Sequence, residues 1–189
     1  MDDIVKAALV KWPNVPHCHG WLGLDARGNW YMRDDRAQAL GPFTGNPLAD
    51  PSLNLAAKGS MLKHDKLIEF IQRNYEADAK GQWFFQNGPQ RVYVELEATP
   101  FIWRLSALGA ALVVEAHTGK LANPLASFID EHGRLYLNTD IGFGLVHTQD
   151  MLAAAEVVEQ GNWAPEEVPA SDLPRRFGYV TSPEALQKK

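Results

Sequence analysis

The sequence predicts an α+β fold: an N-terminal half made of a hairpin and a helix, then an antiparallel barrel-like sheet closed by a helix. Three observations predict it. Leu67, Ile68, Ile71 and Tyr75 lie on one helical stripe, with Lys63, Lys66, Glu69, Gln72 and Arg73 on the wet side. From Gln82 to His147 the hydrophobic period falls to two, most cleanly in Arg91-Val92-Tyr93-Val94-Glu95-Leu96-Glu97. A turn of the form Asp-x-x-Gly-x, followed by two large hydrophobes, recurs at Asp25, Asp78 and Asp130. There the Asp side chain bonds nearby amides and Gly takes the positive-φ position.

Element by element, Asp3 to Trp12 reads as a short helix capped by Asp2 or Asp3, with Ile4, Val5, Ala8, Leu9 and Trp12 on its apolar face. Pro13 and Pro16 break it. Gly20–Leu24 and Asn29–Met32 read as strands joined by a turn. Residues 33–59, rich in Gly, Pro, Asp and Asn, read as a structureless flap or insertion. Ser60–Ala77 reads as the main helix. Strands follow at 91–97, 101–105, 110–116, 126–130, 134–138 and 143–147. Thr148 then caps a helix over 149–160, which Gly161 ends. The expected division is 1–80, 81–162 and an irregular Pro-rich tail, 163–189. The shared turns of Trp30 and Trp83 are compatible with an internal duplication or with convergent hairpin chemistry.

Composition narrows the function. The chain has 189 residues, a formal charge of -5, 46% hydrophobic and 22% charged residues, all ordinary for a globular protein. Its only adjacent basic pairs are Arg175-Arg176 and Lys188-Lys189, which argues against a phosphate-neutralising face for nucleic acid. A single cysteine, Cys18, rules out an intrachain disulfide. Residues 1–12 do not read as a signal peptide, and no apolar run reaches the roughly 20 residues of a membrane span. The expectation is a cytoplasmic protein.

Candidate sites are few. His17 and His19 flank Cys18 and share one side of an extended chain, so they suit a metal or a Cys-His hydrolase if further groups join them. The alternative is a turn with Cys18 as a small buried hydrophobe. Asn87 and Arg91 bracket a Gly-Pro turn, where a guanidinium fork suits a phosphate or carboxylate; the alternative is an Arg91–Glu95 pair. Glu95 and Glu97 share a strand face as a carboxylate pair or a solvated edge. Trp30, Trp83 and Phe101 are core rings or the aromatic wall of a cleft. The expected ligand-binding set is Trp30, Trp83, Asn87, Arg91, Glu95 and Phe101, with no catalytic residue, no metal and no identified cofactor.

From Lys66 onward the helix, the D-x-x-G-x-W turn, Val92-x-Val94-Glu95-Leu96-Glu97 and Pro100-Phe101-Ile102 resemble a group of small uncharacterised bacterial proteins with a V-x-V-E-V-E-x-x-P-F strand. Thr118-Gly119 and Asn123-Pro124-Leu125 continue the likeness. Arg91, Glu95, Pro100 and Phe101 are the matching positions. The resemblance implies a duplicated core, a pleckstrin-homology-like C-terminal half, and a groove between halves for a nucleotide-like molecule in signalling. It supplies no catalytic residues. The function expected is a non-enzymatic ligand-binding or regulatory protein taking an anionic, planar small molecule. An interaction or scaffold protein is the alternative, and a hydrolase using His17, Cys18 and His19 comes third.

Overall fold

The computed structural model describes residues 1–108 and 111–187. Ala110, with which one strand was expected to begin, and the Lys188-Lys189 pair lie outside them. The chain forms two compact units: Met1–Asp25, Asn29–Glu97 and Tyr179 onward in the first, Ala26–Gly28 and Ala98–Gly178 in the second. The expected boundary at residue 80 falls instead in a hairpin turn of the first unit.

In the first unit, α1 (Asp3–Lys11) precedes β1 (Cys18–Leu24) and β2 (Trp30–Met32). Of the apolar face expected on α1, Val5 is buried, but Ile4 and Trp12 are exposed, and the side chain of Asp2 makes no capping bond. The expected flap carries α2 (Asp35–Leu40) and α3 (Pro51–Ala57). Its polar residues are helix starts: Asp34 accepts from the Ala37 amide, and Asp50 from that of Ser52 with Pro51 in the first turn. The expected helix 60–77 is three elements, β3 (Ser60–Met61), α4 (Asp65–Arg73) and β4 (Tyr75–Ala77). Asn74 ends α4, its side-chain amide donating to the Phe70 carbonyl, and Tyr75 then pairs in β structure with Phe85. β5 (Trp83–Asn87) and β6 (Gln90–Leu96) complete a sheet ordered β3-β2-β1-β6-β5-β4. β1 and β6 run parallel; the other neighbours are antiparallel. Trp30 of β2 meets Tyr75 of β4 at 5.2 Å although three strands separate them, so the sheet curls around its core.

Ile71 is 2% exposed at the centre of the expected stripe. Ile71→Ala is expected to cost about 2–3 kcal/mol, the lower part of the range for buried Ile, because open space beside α4 lets the site relax. Urea unfolding measures it; a loss below about half a kcal/mol would mean that α4 contributes no core.

In the second unit, β7 (Phe101–Leu108), β8 (Ala111–Ala116), β10 (Pro124–Ile129), β11 (Leu135–Thr139) and β12 (Gly142–Val146) lie close to the expected strands, and β9 (Leu121–Ala122) is a short strand that was not expected. The sheet is mixed rather than antiparallel, since β12 runs parallel to β7. A 3-10 turn at Thr148–Asp150 leads into α5 (Met151–Glu159). His147, not Thr148, accepts from the Gln149 amide, and Asp150 accepts from the Arg104 guanidinium and the Leu105 amide of β7. The tail is less irregular than expected: β13 (Glu166–Glu167) extends the sheet beside β10, α6 (Leu173–Phe177) follows, and α7 (Pro183–Gln187) belongs to the first unit.

The second sheet, β13 apart, reads β10-β11-β12-β7-β8-β9. Counted from its own first strand, that is the order of the first sheet, with the same parallel pair between first and last strands. The Asp78 and Asp130 turns occupy the same place in the two sheets, between the fourth and fifth strands, whereas Trp30 and Trp83 lie in one sheet. All three turns share one geometry. The Asp amide donates to the carbonyl four residues on, the carboxylate accepts the amide four residues on, and Gly28, Gly81 and Gly133 have φ of 84°, 74° and 72°. Among the described residues no helix is long and apolar enough to cross a membrane.

Candidate functional site

The two faces of the first sheet carry different chemistry. On β6, alternation sends Gln90 and Val92 to the concave side and Arg91, Tyr93 and Glu95 to the outer side. The concave side opens into a groove of about 260 Å³. Leu22, Phe85 and Val92 form its floor, and Leu67, Phe70 and Ile71 of α4 form one wall. Phe70 stands edge-on to Phe85 at 5.4 Å. Cys18 lies in it, and Trp21 and Met32 stand at its rim, 44% and 47% exposed. A register shift between Cys18 and Leu22 brings the consecutive residues Trp21 and Leu22 to the same cavity. Asn87 and Gln90, which face each other across the β5–β6 hairpin, supply the polar end.

On the outer side, His19 stacks on Tyr93 at 4.5 Å and His17 meets the same ring edge-on at 5.9 Å. The two imidazoles thus share a side while Cys18 lines the groove. Burial lowers the His19 pKa, as does the neighbouring His17, against the pull of Glu184. Among the described residues no group of three His, Cys, Asp or Glu is placed to hold a metal.

The expected site residues separate. Asn87 lines the groove. Arg91 lies over the Phe84 ring at 4.4 Å on the outer side. Trp30 is 1% exposed and Trp83 half-buried, and both pack on Tyr75. Phe101, in the second unit, is 3% exposed and stacked on Trp103.

A scan against family models matches residues 1–184 to DUF2944, described as "Protein of unknown function (DUF2946)". The chain belongs to this family. No curated protein matches. Among solved structures, a DUF1285 family protein from Silicibacter pomeroyi DSS-3 is similar at 12% identity and a TM-score of 0.47, over 83% of this chain and 85% of that one. A DUF1285 family protein from Shewanella baltica OS155 is similar at 14% identity and a TM-score of 0.42, over 72% and 91%.

Two buried charged residues of this DUF2944 chain have partners that no sequence pattern marks. Arg33 is fully buried. Its guanidinium donates to the carbonyls of Ala57 at 2.8 Å, Gly20 at 3.1 Å and Gly41 at 2.5 Å, and lies 3.4 Å from Glu184. Glu95, 2% exposed, pairs with neither Glu97 nor Arg91 as expected from the strand; it accepts from the Ser182 hydroxyl and the Glu184 amide of the C-terminal segment. Glu97 instead meets Lys58 at 2.6 Å.

Burial raises the Glu95 pKa, outweighing the bonds from Ser182 and Glu184. A raised folded pKa means the protonated form favours folding. That contribution is complete below the ordinary value of 4.5 and is lost as pH rises through the raised one. Relative to Glu95→Gln, the parent protein should therefore lose stability as pH climbs from 4.5 toward neutrality. Parallel urea curves across that window measure the difference; a difference that is flat, or that grows with pH, would refute the assignment.

Proposed function

We propose that the protein is a non-enzymatic ligand-binding or regulatory protein whose small-molecule site is the groove between α4 and the concave face of the first sheet. The observation that carries this reading is the combination of a continuous apolar lining, solvent-facing Trp21 and Met32, and two carboxamides at one end. Ligand sites pair apolar walls with a few placed polar groups, and exposed aromatic and thioether side chains on a rim gain by being covered. Native mass spectrometry of freshly purified protein tests it. A co-purifying small molecule that is lost from Val92→Trp, which fills the groove floor, is the expected result. Equal retention by a folded Val92→Trp protein would move the site elsewhere.

The anionic, nucleotide-like ligand expected from the resemblance is a second reading with a different address. Arg91 over Phe84, whose ring meets Tyr93 at 5.7 Å, supports an outer-face site for it. Calorimetric titration with ATP is the test: binding that Arg91→Ala does not weaken would remove this reading. The pleckstrin-homology likeness of the second unit belongs here as well, supported by two three-stranded meanders followed by α5.

A further inference from the structure

We infer that the ligand of this groove is a neutral, largely apolar molecule of about one fused-ring system, carrying a single hydrogen-bonding group at the Asn87–Gln90 end. The inference rests on the groove being the site. It follows from what the lining contains and what it lacks. Among the described residues, none of the side chains that line the groove is ionisable except the Cys18 thiol, and no Lys, Arg or His is among them. Arg91 is sequence neighbour to two lining positions, yet it lies against Phe84 on the other side of the strand. A sulfonate, phosphate or carboxylate placed here would give up its water with no counter-charge, whereas an apolar body gives up nothing on contact with Leu22, Phe85 and Val92.

The polar end is built for a neutral partner. The Gln90 side-chain amide donates to the Pro16 carbonyl at 2.9 Å, which fixes that side chain and leaves its own carbonyl oxygen as an acceptor. Asn87, opposite it in register, carries both a donor and an acceptor and makes no side-chain bond among the described residues. A hydroxyl, amine N–H or amide on the ligand matches this pair; an anion matches only half of it. The volume, about 260 Å³, lies just under the roughly 300–1,000 Å³ of pockets for drug-sized ligands, so the occupant is compact.

A matched pair of fluorescent probes tests this on the intact chain. N-phenyl-1-naphthylamine is neutral, and 1-anilinonaphthalene-8-sulfonate has the same skeleton plus one negative charge. Cys18, the chain's single cysteine, lies in the groove, so slowed alkylation by a maleimide reports occupancy at this place and not at another apolar patch. The expected result is saturable one-to-one binding of the neutral probe, protection of Cys18, and at least about tenfold weaker binding of the sulfonate, the factor that 1.4 kcal/mol produces. Asn87→Leu, at an exposed position, should weaken the neutral probe about two- to tenfold, the worth of one ordinary hydrogen bond. Sulfonate binding as tight as the neutral probe, with equal Cys18 protection, overturns the neutral class but leaves the groove as the site. An unchanged affinity in Asn87→Leu overturns the role of the carboxamides. Failure of both probes to protect Cys18 overturns the inference and the groove reading together.

Discussion

Arg33→Ala should destabilise the protein by about 3–5 kcal/mol, the range for removing one partner from a buried charged network. The guanidinium is fully enclosed, so its loss takes a hydrogen-bond donor from three backbone carbonyls, those of Gly20, Gly41 and Ala57, and a counter-charge from the Glu184 carboxylate. Gly41 and Ala57 belong to the segment that carries α2 and α3, so one side chain fastens both parts of it to β1. Phe43, 1% exposed, lies over Gly23, where a Cβ would come within 2.5 Å of its ring. Arg33→Lys should recover little, because a single ammonium does not span three diverging acceptors as a planar fork does. Chemical denaturation gives the magnitude, and hydrogen exchange gives the place: amides of residues 34–59 should lose protection first. A cost under about 1 kcal/mol, or exchange unchanged in that segment, would show that the hydrophobic contacts of Phe43 suffice without the arginine.

Trp103→Ala should cost a similar amount, about 3–5 kcal/mol, the range for a buried Trp. The indole is fully buried, stacks on Phe101 with ring centroids 5.1 Å apart, and donates to the Leu137 carbonyl at 3.2 Å. It also fills the place of a missing side chain. A Cβ at Gly144 would lie 2.5 Å from the indole nitrogen and 2.5 Å from the Phe101 carbonyl oxygen. Gly144→Ala should therefore destabilise too, by overpacking. The double variant should lose less than the sum of the two, since the indole half of the clash is gone. Strict additivity in a thermal-unfolding cycle would mean that the Phe101 backbone alone sets the cost at Gly144.

The elements read correctly from the sequence are those in which neighbouring residues decide the outcome. β6 alternates because one side meets α4 and the core, and the Asp25, Asp78 and Asp130 turns are complete within five residues each. Helix α4 was over-extended because Tyr75 satisfies the helical stripe and, equally well, the start of a strand; the pairing of β4 with β5 decides between them. Residues 33–59 read as a flap because Asp and Pro serve loops and helix starts alike. Of the groove, the sequence shows only Asn87 as a candidate and the apolar stripe of Leu67 and Ile71, which reads there as core. Trp21 joins it through a register shift that no period-two pattern contains. The partners of Arg33 and Glu95 include Glu184 and Ser182, separated from them by 151 and 87 residues, and nothing local marks such pairs. Arg91 and Glu95 alternate with Val92 and Val94 along β6, but what their side meets is set by the distant chain.

Those long separations impose a timetable on synthesis. The second unit is encoded as an interruption of the first, and its strands are all made before residue 179 emerges. The first unit is different: the partners of its buried Arg33 and Glu95 include Ser182 and Glu184, which follow the whole second unit in sequence. These contacts of the amino-terminal sheet therefore form only after every residue of the second unit has been synthesised.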